Sequence, residues 1–245
     1  MPKINKIIGR QVFDSRGNPT IETEVFSDNG YSATAIVPSG ASTGTHEAFE
    51  LRDKDNKEYL GKSVFKAIKN VNGIISRNLY NFDIFDQEKI DKTLIDLDGT
   101  KQKNKLGANS ILATSIAVSK LGAKCKKVSL FKYLGGSNVN QLPIPLMNII
   151  NGGVHADNLL RIQEFMIRPE NPKTFSEAVR MCFLVIQNLK KLINSKNLST
   201  SVGDEGGFAP LLKRNEDAIE FILESIEEAG FKPGEDISIC LDVAS

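Results

Sequence analysis

The sequence has no excess of charge of either sign, few cysteines and no long apolar run. Its 31 lysines and arginines nearly balance its 30 aspartates and glutamates, which leaves a formal net charge of +1. This balance gives no electrostatic basis for binding nucleic acid or a membrane surface. A small anionic substrate is still allowed, because local charge can differ from the total.

The sparse cysteines and the short apolar runs exclude further classes of protein. Cys125, Cys182 and Cys240 are odd in number and lack a metal-ligand spacing, so we expect buried free thiols in a reducing compartment. The longest apolar stretch, residues 181–186, is far shorter than the roughly 18 residues that a membrane-spanning helix needs. The N-terminus has no apolar core of the kind that signal peptides carry. These absences predict a cytoplasmic protein without nucleic-acid or membrane partners.

The first part of the chain has the pattern of an α+β domain. Residues 20–26 and 31–37 alternate with period two around a turn, which predicts an antiparallel hairpin. Apolar residues then recur at helical spacing over 64–75 and 111–121, and a short helix is expected over 129–134. We therefore predict an α+β domain over residues 1–136.

The remaining residues, 137–245, have the pattern of an α/β domain. They indicate a strand, two helices and a second strand, over 162–167, 175–194, 216–229 and 237–241. Asn215 is the expected N-cap of the second helix. Strands that alternate with helices favour a parallel layer. A barrel of eight strands and eight helices takes roughly 250 residues, and this stretch is less than half as long, so we predict an incomplete (β/α)8 barrel.

The loop over residues 38–53 is the first stretch that can carry chemistry. It contains small hydroxylated residues and glycines, namely Ser39, Gly40, Ser42, Thr43 and Gly44. Such a loop favours a lid whose backbone approaches a phosphate or a metal closely. An exposed polar loop explains the composition equally well, and the lysine of a phosphate-binding loop is missing.

A second loop places a histidine after two glycines. His155 follows Gly152 and Gly153, which favours a ligand or substrate-facing role over a packed core position. The strand that follows presents Gln163 and Glu164 near its start. On an ideal strand these two side chains face opposite sides, so spacing alone leaves open which of them enters a site.

Two further stretches present carboxylates. Asp204 and Glu205 lie between glycines in residues 202–210. This pattern favours a catalytic elbow, a sharp turn that buries one carboxyl group and raises its pKa. An ordinary polar turn is the alternative. Asp242 ends an apolar strand, where a parallel barrel presents its functional groups. Magnesium usually takes one or two protein carboxylates together with substrate oxygens and water. A metal ligand and a cap for the next element are equally consistent with Asp242.

Taken together, these stretches resemble the enolase family. The matching segments run in order along nearly the whole chain: "DSRGNPTIETEV", "PSGASTGTHEAFELRD", "LIDLDGTKQKNKLGANSILATSIAVSK", "PLMNIINGGVHADN", "IQEFMIRP", "VGDEGGFAP" and "LDVAS". The combination of "HADN" and "IQEFMI" is similar to the bacterial branch. The resemblance implies an α+β domain before a barrel that begins with two strands and two helices. It also implies reversible dehydration of 2-phosphoglycerate to phosphoenolpyruvate with Mg2+, and a homodimer that a truncation would disturb.

The resemblance implies a role for each matching residue. Glu205 is the general acid that protonates the departing 3-hydroxyl. Asp242 is a ligand of the high-affinity magnesium, and Ser39 binds a second magnesium when its loop closes. The substrate pocket is lined by His155, Gln163 and Glu164.

The match also implies a truncated enolase. The family's lysine base and its two further acidic ligands for the same metal correspond to positions beyond Ser245. We therefore expect no turnover from the 245-residue chain alone. Two alternatives stay open: a non-catalytic fragment or interaction module, and one half of a split enolase that a second chain completes.

Overall fold

A computed structural model describes residues 1–40 and 44–244. The chain divides into two compact units, the first Met1–Asn140 and the second beginning at Gln141. Each unit buries an apolar cluster of its own. Every element therefore belongs to one of two separate cores.

The first unit opens with a three-stranded antiparallel sheet in the order β1–β2–β3. Its strands are β1 (Ile4–Phe13), β2 (Pro19–Ser27) and β3 (Ser32–Val37). The predicted hairpin is confirmed as β2 and β3. Strand β1 was missed, because its residues do not alternate between apolar and polar: Ile7 and Ile8 are adjacent, as are Arg10 and Gln11.

Helices follow this sheet along the chain. They are α1 (Phe65–Asn70), α2 (Ser76–Leu79), α3 (Gln87–Asp98), α4 (Ala108–Cys125) and α5 (Leu130–Gly135), with a π-helical turn over Val71–Ile75. Helix α4 packs against β2 and β3 and buries Ala113, Ala117 and Leu121. Helix α3 was not predicted from the sequence.

Asp98 organises the turn between α3 and α4. Its buried carboxylate accepts hydrogen bonds from the backbone N–H of Leu106 (2.7 Å) and of Lys105 (3.1 Å). Burial alone would raise the Asp98 pKa, but these hydrogen bonds and those from Thr100 hold it below its usual value. This side chain therefore fixes the start of the core helix α4.

The second unit contains three strands and two long helices. They are β4 (Met147–Asn151), β5 (Glu164–Pro169), α6 (Phe175–Ser195), α7 (Asn215–Glu228) and β6 (Ile237–Asp242). The expected order of two strands, two helices and a further strand is confirmed. The expected α/β class with an incomplete barrel is confirmed as well.

The parallel layer predicted for this unit is wrong for its central strand. Strand β5 lies between β4 and β6 and runs antiparallel to both. The connection from β4 to β5 holds only a 3-10 turn, Gly153–His155, whereas a parallel crossover usually needs a helix. As a result, the ends of β4 and β6 and the start of β5 meet at one edge of the sheet.

The two long helices begin with different caps. Thr174 caps α6, since its Oγ1 accepts a hydrogen bond from the backbone N–H of Glu177 at 3.1 Å. For α7 the N-cap is Arg214, so the predicted cap, Asn215, is wrong by one residue. The Asn215 Oδ1 instead accepts a hydrogen bond from the backbone N–H of Arg161 at 2.9 Å, which ties α7 to the segment before β5.

The burial of the cysteines and the apolar character of the helices can be compared with what the sequence predicted. All three cysteines are free thiols, but only Cys182 is buried, and its burial raises the pKa of that thiol to about 11. Cys125 and Cys240 are half-buried, so the prediction of buried thiols is wrong for them. Among the described residues, no helix combines the length and the apolar character that crossing a membrane requires.

Candidate active site

A row of polar side chains lies across the edge where the three strands of the second unit meet. Asn151 of β4 is opposite Glu164 of β5, and Glu164 is opposite Asp242 of β6. Cross-strand partners in antiparallel pairs point to the same face. Glu164 therefore faces the same side as Asp242, a question that the sequence left open. Gln163 is buried just before β5, and its backbone N–H donates to the Asp242 carbonyl oxygen at 3.1 Å.

The loop after β4 brings His155 to this edge. A Cβ atom at Gly152 would lie 2.5 Å from the Ile162 carbonyl oxygen, so the close approach of the chain requires glycine there. The His155 side chain is only 2% exposed. Its Nδ1 atom lies 3.7 Å from Glu164 Oε1 and 3.6 Å from Glu205 Oε2.

The glycine-rich loop over residues 202–210 brings Glu205 to the same place. The backbone N–H of Asp204 donates to the His155 carbonyl oxygen at 3.0 Å, and that of Gly203 donates to Gly207 at 2.9 Å. A Cβ atom at Gly203 would lie 2.4 Å from the His155 carbonyl oxygen. The loop can therefore pack against the His155 turn only with glycine at this position.

The carboxyl group with the raised pKa is Glu164. A hydrogen bond shared with the Glu205 carboxyl, burial, and the negative charges of Glu205 and Asp242 together raise the pKa of Glu164 to about 7. The sequence prediction placed a raised pKa in the elbow formed by Asp204 and Glu205. Glu164, which has the raised pKa, lies on the strand that faces this elbow, and its side chain is 14% exposed.

Two asparagines of the site were not singled out from the sequence. Asn148 and Asn151 have amide groups that are buried without a hydrogen-bond partner among the described residues. A Cβ atom at Gly207 would lie 2.1 Å from Asn151 Oδ1 and 2.9 Å from Asn148 Oδ1, so both amides face this glycine. Residues three apart on a regular strand face opposite sides, and the irregularity between Asn148 and Ile150 removes this separation. The signal in the sequence is two amides in an otherwise apolar strand.

Asp242 has the donor chemistry that magnesium prefers. Its Oδ1 accepts a hydrogen bond from the backbone N–H of Ala244 at 2.9 Å, and its charge repels that of Glu164. A cation held by Asp242 would relieve this repulsion. One carboxylate with substrate oxygens and water is a usual magnesium environment, so the residue fits the ion.

The residues predicted to form a lid belong to the first unit. Ser39 is half-buried, and its carbonyl oxygen accepts a hydrogen bond from Arg16 Nη2 at 2.8 Å. Its Oγ lies 3.4 Å from Arg52 Nη2. Ser42 and Thr43 lie outside the described residues.

The sequence of the chain is similar to that of known proteins. The family described as "Enolase, N-terminal domain" matches residues 4–134, and "Enolase, C-terminal TIM barrel domain" matches residues 139–245. The enolase of Pelagibacter ubique (strain HTCC1062) is 62% identical over all 245 residues of this chain, and the chain spans 58% of the length of that relative. Both matching family models and the relative are enolases, and the chain belongs to the enolase family.

Proposed function

We propose that this chain carries the proton-donating side of an active site for the reversible dehydration of 2-phosphoglycerate to phosphoenolpyruvate, the glycolytic enolase reaction. The supporting observation is that Glu205, Glu164 and His155 converge at the sheet edge that also carries Asp242. The sequence matches to enolases give the reaction class, and these side chains give its chemistry.

Glu205 is the proposed general acid. A general acid must hold a proton near neutral pH, and two carboxyl groups this close do not ionise independently. The raised pKa of Glu164, about 7, means that the pair retains one proton close to neutrality. Glu205 is the more exposed partner and donates this proton to the departing 3-hydroxyl, which leaves as water; in the reverse direction the Glu205 carboxylate takes a proton from the attacking water.

The substrate is proposed to bind at this sheet edge, beside His155. An open pocket of about 370 Å³ lies beside His155 and is lined by its own loop and by Gly203 and Asp204. We assign substrate contacts to His155, Gln163 and Glu164. Asp242 would hold magnesium, which when bound stabilises the negative charge that develops on the substrate carboxylate. The contribution of Ser39 to a second magnesium site stays a prediction, as do the homodimer and the cytoplasmic location.

The 245-residue chain alone is expected to lack turnover. In the family resemblance, the lysine base and two acidic metal ligands correspond to positions beyond Ser245. Neither proton abstraction nor full metal binding is therefore provided by the residues present.

The experiment compares this chain with a fusion. In the fusion, the C-terminal remainder of the Pelagibacter ubique enolase follows residue 245, and the ultraviolet absorbance of the enolpyruvate product is followed with excess magnesium. We expect turnover by the fusion and none by the chain alone. A folded but inactive fusion contradicts the proposed reaction. Turnover by the chain alone at an ordinary enzyme rate contradicts the expectation that an essential base is missing.

The same remainder, supplied as a separate polypeptide, tests the split-enzyme alternative. Restored turnover on mixing or co-expression would support it. Failure of the two chains to restore activity, when the fusion is active, would count against it.

A further inference from the structure

The imidazole of His155 is buried without a hydrogen-bond partner. Neither Nδ1 nor Nε2 has a partner among the described residues, although the side chain is only 2% exposed. Buried polar groups are normally paired, so such an exception needs an explanation. The carboxylate oxygens of Glu164 and Glu205 lie 3.7 and 3.6 Å from Nδ1, which is longer than a hydrogen bond.

The three side chains instead have the spacing of metal ligands. Nδ1 and one oxygen of each carboxylate all lie within 4.8 Å of one another. Atoms bound to one tetrahedral zinc ion at about 2.1 Å lie about 3.4 Å apart. The two distances from Nδ1 therefore differ from that arrangement by only a few tenths of an ångström.

We propose that His155, Glu164 and Glu205 form a binding site for a divalent transition metal of the zinc class. Imidazole nitrogen suits zinc, copper, nickel and cobalt, whereas magnesium prefers oxygen ligands alone. Three protein ligands leave a fourth position for water, as in open zinc sites. Asp242, the residue assigned to magnesium, is not a member of this cluster but lies opposite Glu164 in the sheet.

The backbone around the cluster holds its ligands in place. The loop of Glu205 is hydrogen-bonded to the His155 carbonyl oxygen through the Asp204 N–H, and Glu164 is fixed in the sheet between β4 and β6. Little rearrangement is needed before an ion binds, which favours affinity. An ion in this site would bind the carboxylate of Glu205 and so exclude its use as a proton donor. The metal site does not depend on the proposed reaction, and its test uses no substrate.

Cobalt(II) is the probe, because its visible absorption reports coordination number and ligand type. The folded 245-residue chain, freed of metal, is titrated with cobalt(II) and then with zinc(II). We expect one equivalent of cobalt(II) with the visible band of a four- or five-coordinate ion and no sulfur-to-cobalt charge transfer. Zinc(II) should displace the ion, and excess magnesium should not.

Matched variants locate the site. His155→Gln and Glu205→Gln should each weaken binding at least about tenfold, the loss found even for residues that only support metal ligands. His46→Gln removes the other histidine, which is exposed, and should bind within about threefold of the original chain. Circular dichroism checks the fold of each variant, and Glu205, being partly exposed, provides a test even if the His155 variant fails to fold.

Three results would overturn the proposal. One is unchanged binding in a folded His155→Gln or Glu205→Gln variant. Another is a sulfur-to-cobalt charge-transfer band, which would assign the ion to a cysteine. The third is loss of the ion on addition of magnesium.

Discussion

The proton shared by Glu164 and Glu205 should make the stability of the second unit depend on pH. Glu164→Gln tests this, because glutamine keeps the shape of the side chain and cannot ionise. In the folded chain the pKa of Glu164 is raised from 4.5 to about 7. The folded state therefore binds the proton more tightly than the unfolded state. The stabilisation is fully present below about pH 4.5 and is lost as pH rises through about 7.

The size of the effect follows from this difference in proton affinity. Each tenfold change is worth about 1.4 kcal/mol, so a pKa raised from 4.5 to about 7 corresponds to about 3 kcal/mol. Because the Glu164 side chain is only 14% exposed, solvent screening reduces this figure little. We expect the free energy of unfolding of the original chain to fall by about this amount between pH 4 and pH 8, relative to Glu164→Gln. Glu205→Gln should reduce the fall, because the largest cause of the raised pKa is then removed.

Urea unfolding in metal-free buffer measures this difference. Three of the four methionines, Met147, Met166 and Met181, lie in the second unit, so their methyl NMR signals report its unfolding separately. Glu228→Gln, at an exposed position at the end of α7, is the control and should behave as the original chain. Equal pH dependence in the original chain and in Glu164→Gln would refute the reasoning. Titration of the Glu164 side-chain carbon near pH 4.5 would refute it too.

Three further substitutions test how the fold is held together. Gly207→Ala places a Cβ atom 2.1 Å from Asn151 Oδ1 and should lower the urea midpoint. The control Gly44→Ala meets nothing within 4 Å and should leave the midpoint unchanged. Equal midpoints in the two variants would contradict the close packing around Gly207. Thr174→Ala removes the N-cap of α6 and should cost about 1 kcal/mol by urea unfolding, and an unchanged midpoint would count against the cap. Asp98→Ala leaves the N–H groups of Leu106 and Lys105 unpaired and should lower the free energy of unfolding by about 1–3 kcal/mol or more. Thermal unfolding followed by circular dichroism measures this loss. A loss below about 0.5 kcal/mol would argue that Asp98 does not hold the turn before α4.

Local patterns in the sequence predicted those elements whose burial is regular. Strand β2 alternates over most of its length, and α6 carries a long apolar stripe, so the hairpin and this helix were predicted within about two residues of their observed ends. Strand β1 was missed because its apolar and polar residues do not alternate. The direction of β5 was predicted wrongly because alternation of strands and helices does not reveal that one connection lacks a helix.

The residues of the candidate site were predicted from the sequence, but their arrangement was not. His155, Glu164, Glu205 and Asp242 were each predicted as polar groups beside glycines or at a strand end. Their convergence could not be predicted from spacing, because it depends on the register that places Glu164 opposite Asp242. The raised pKa of Glu164 arises from a residue about forty positions away along the chain. Such couplings come from tertiary packing and leave no local signal.

The role of Glu205 is the central claim, and one measurement on the active fusion tests it most directly. Glu205→Gln is compared with the unmodified fusion for two processes on 2-phosphoglycerate: exchange of the C2 hydrogen with solvent, followed by NMR, and formation of the enolpyruvate, followed by ultraviolet absorbance. A general acid is needed for departure of the 3-hydroxyl but not for abstraction of the proton at C2. We predict that exchange persists while product formation falls at least about 100-fold. Loss of both processes to the same extent, or unchanged product formation, would contradict the assignment of Glu205 as the general acid.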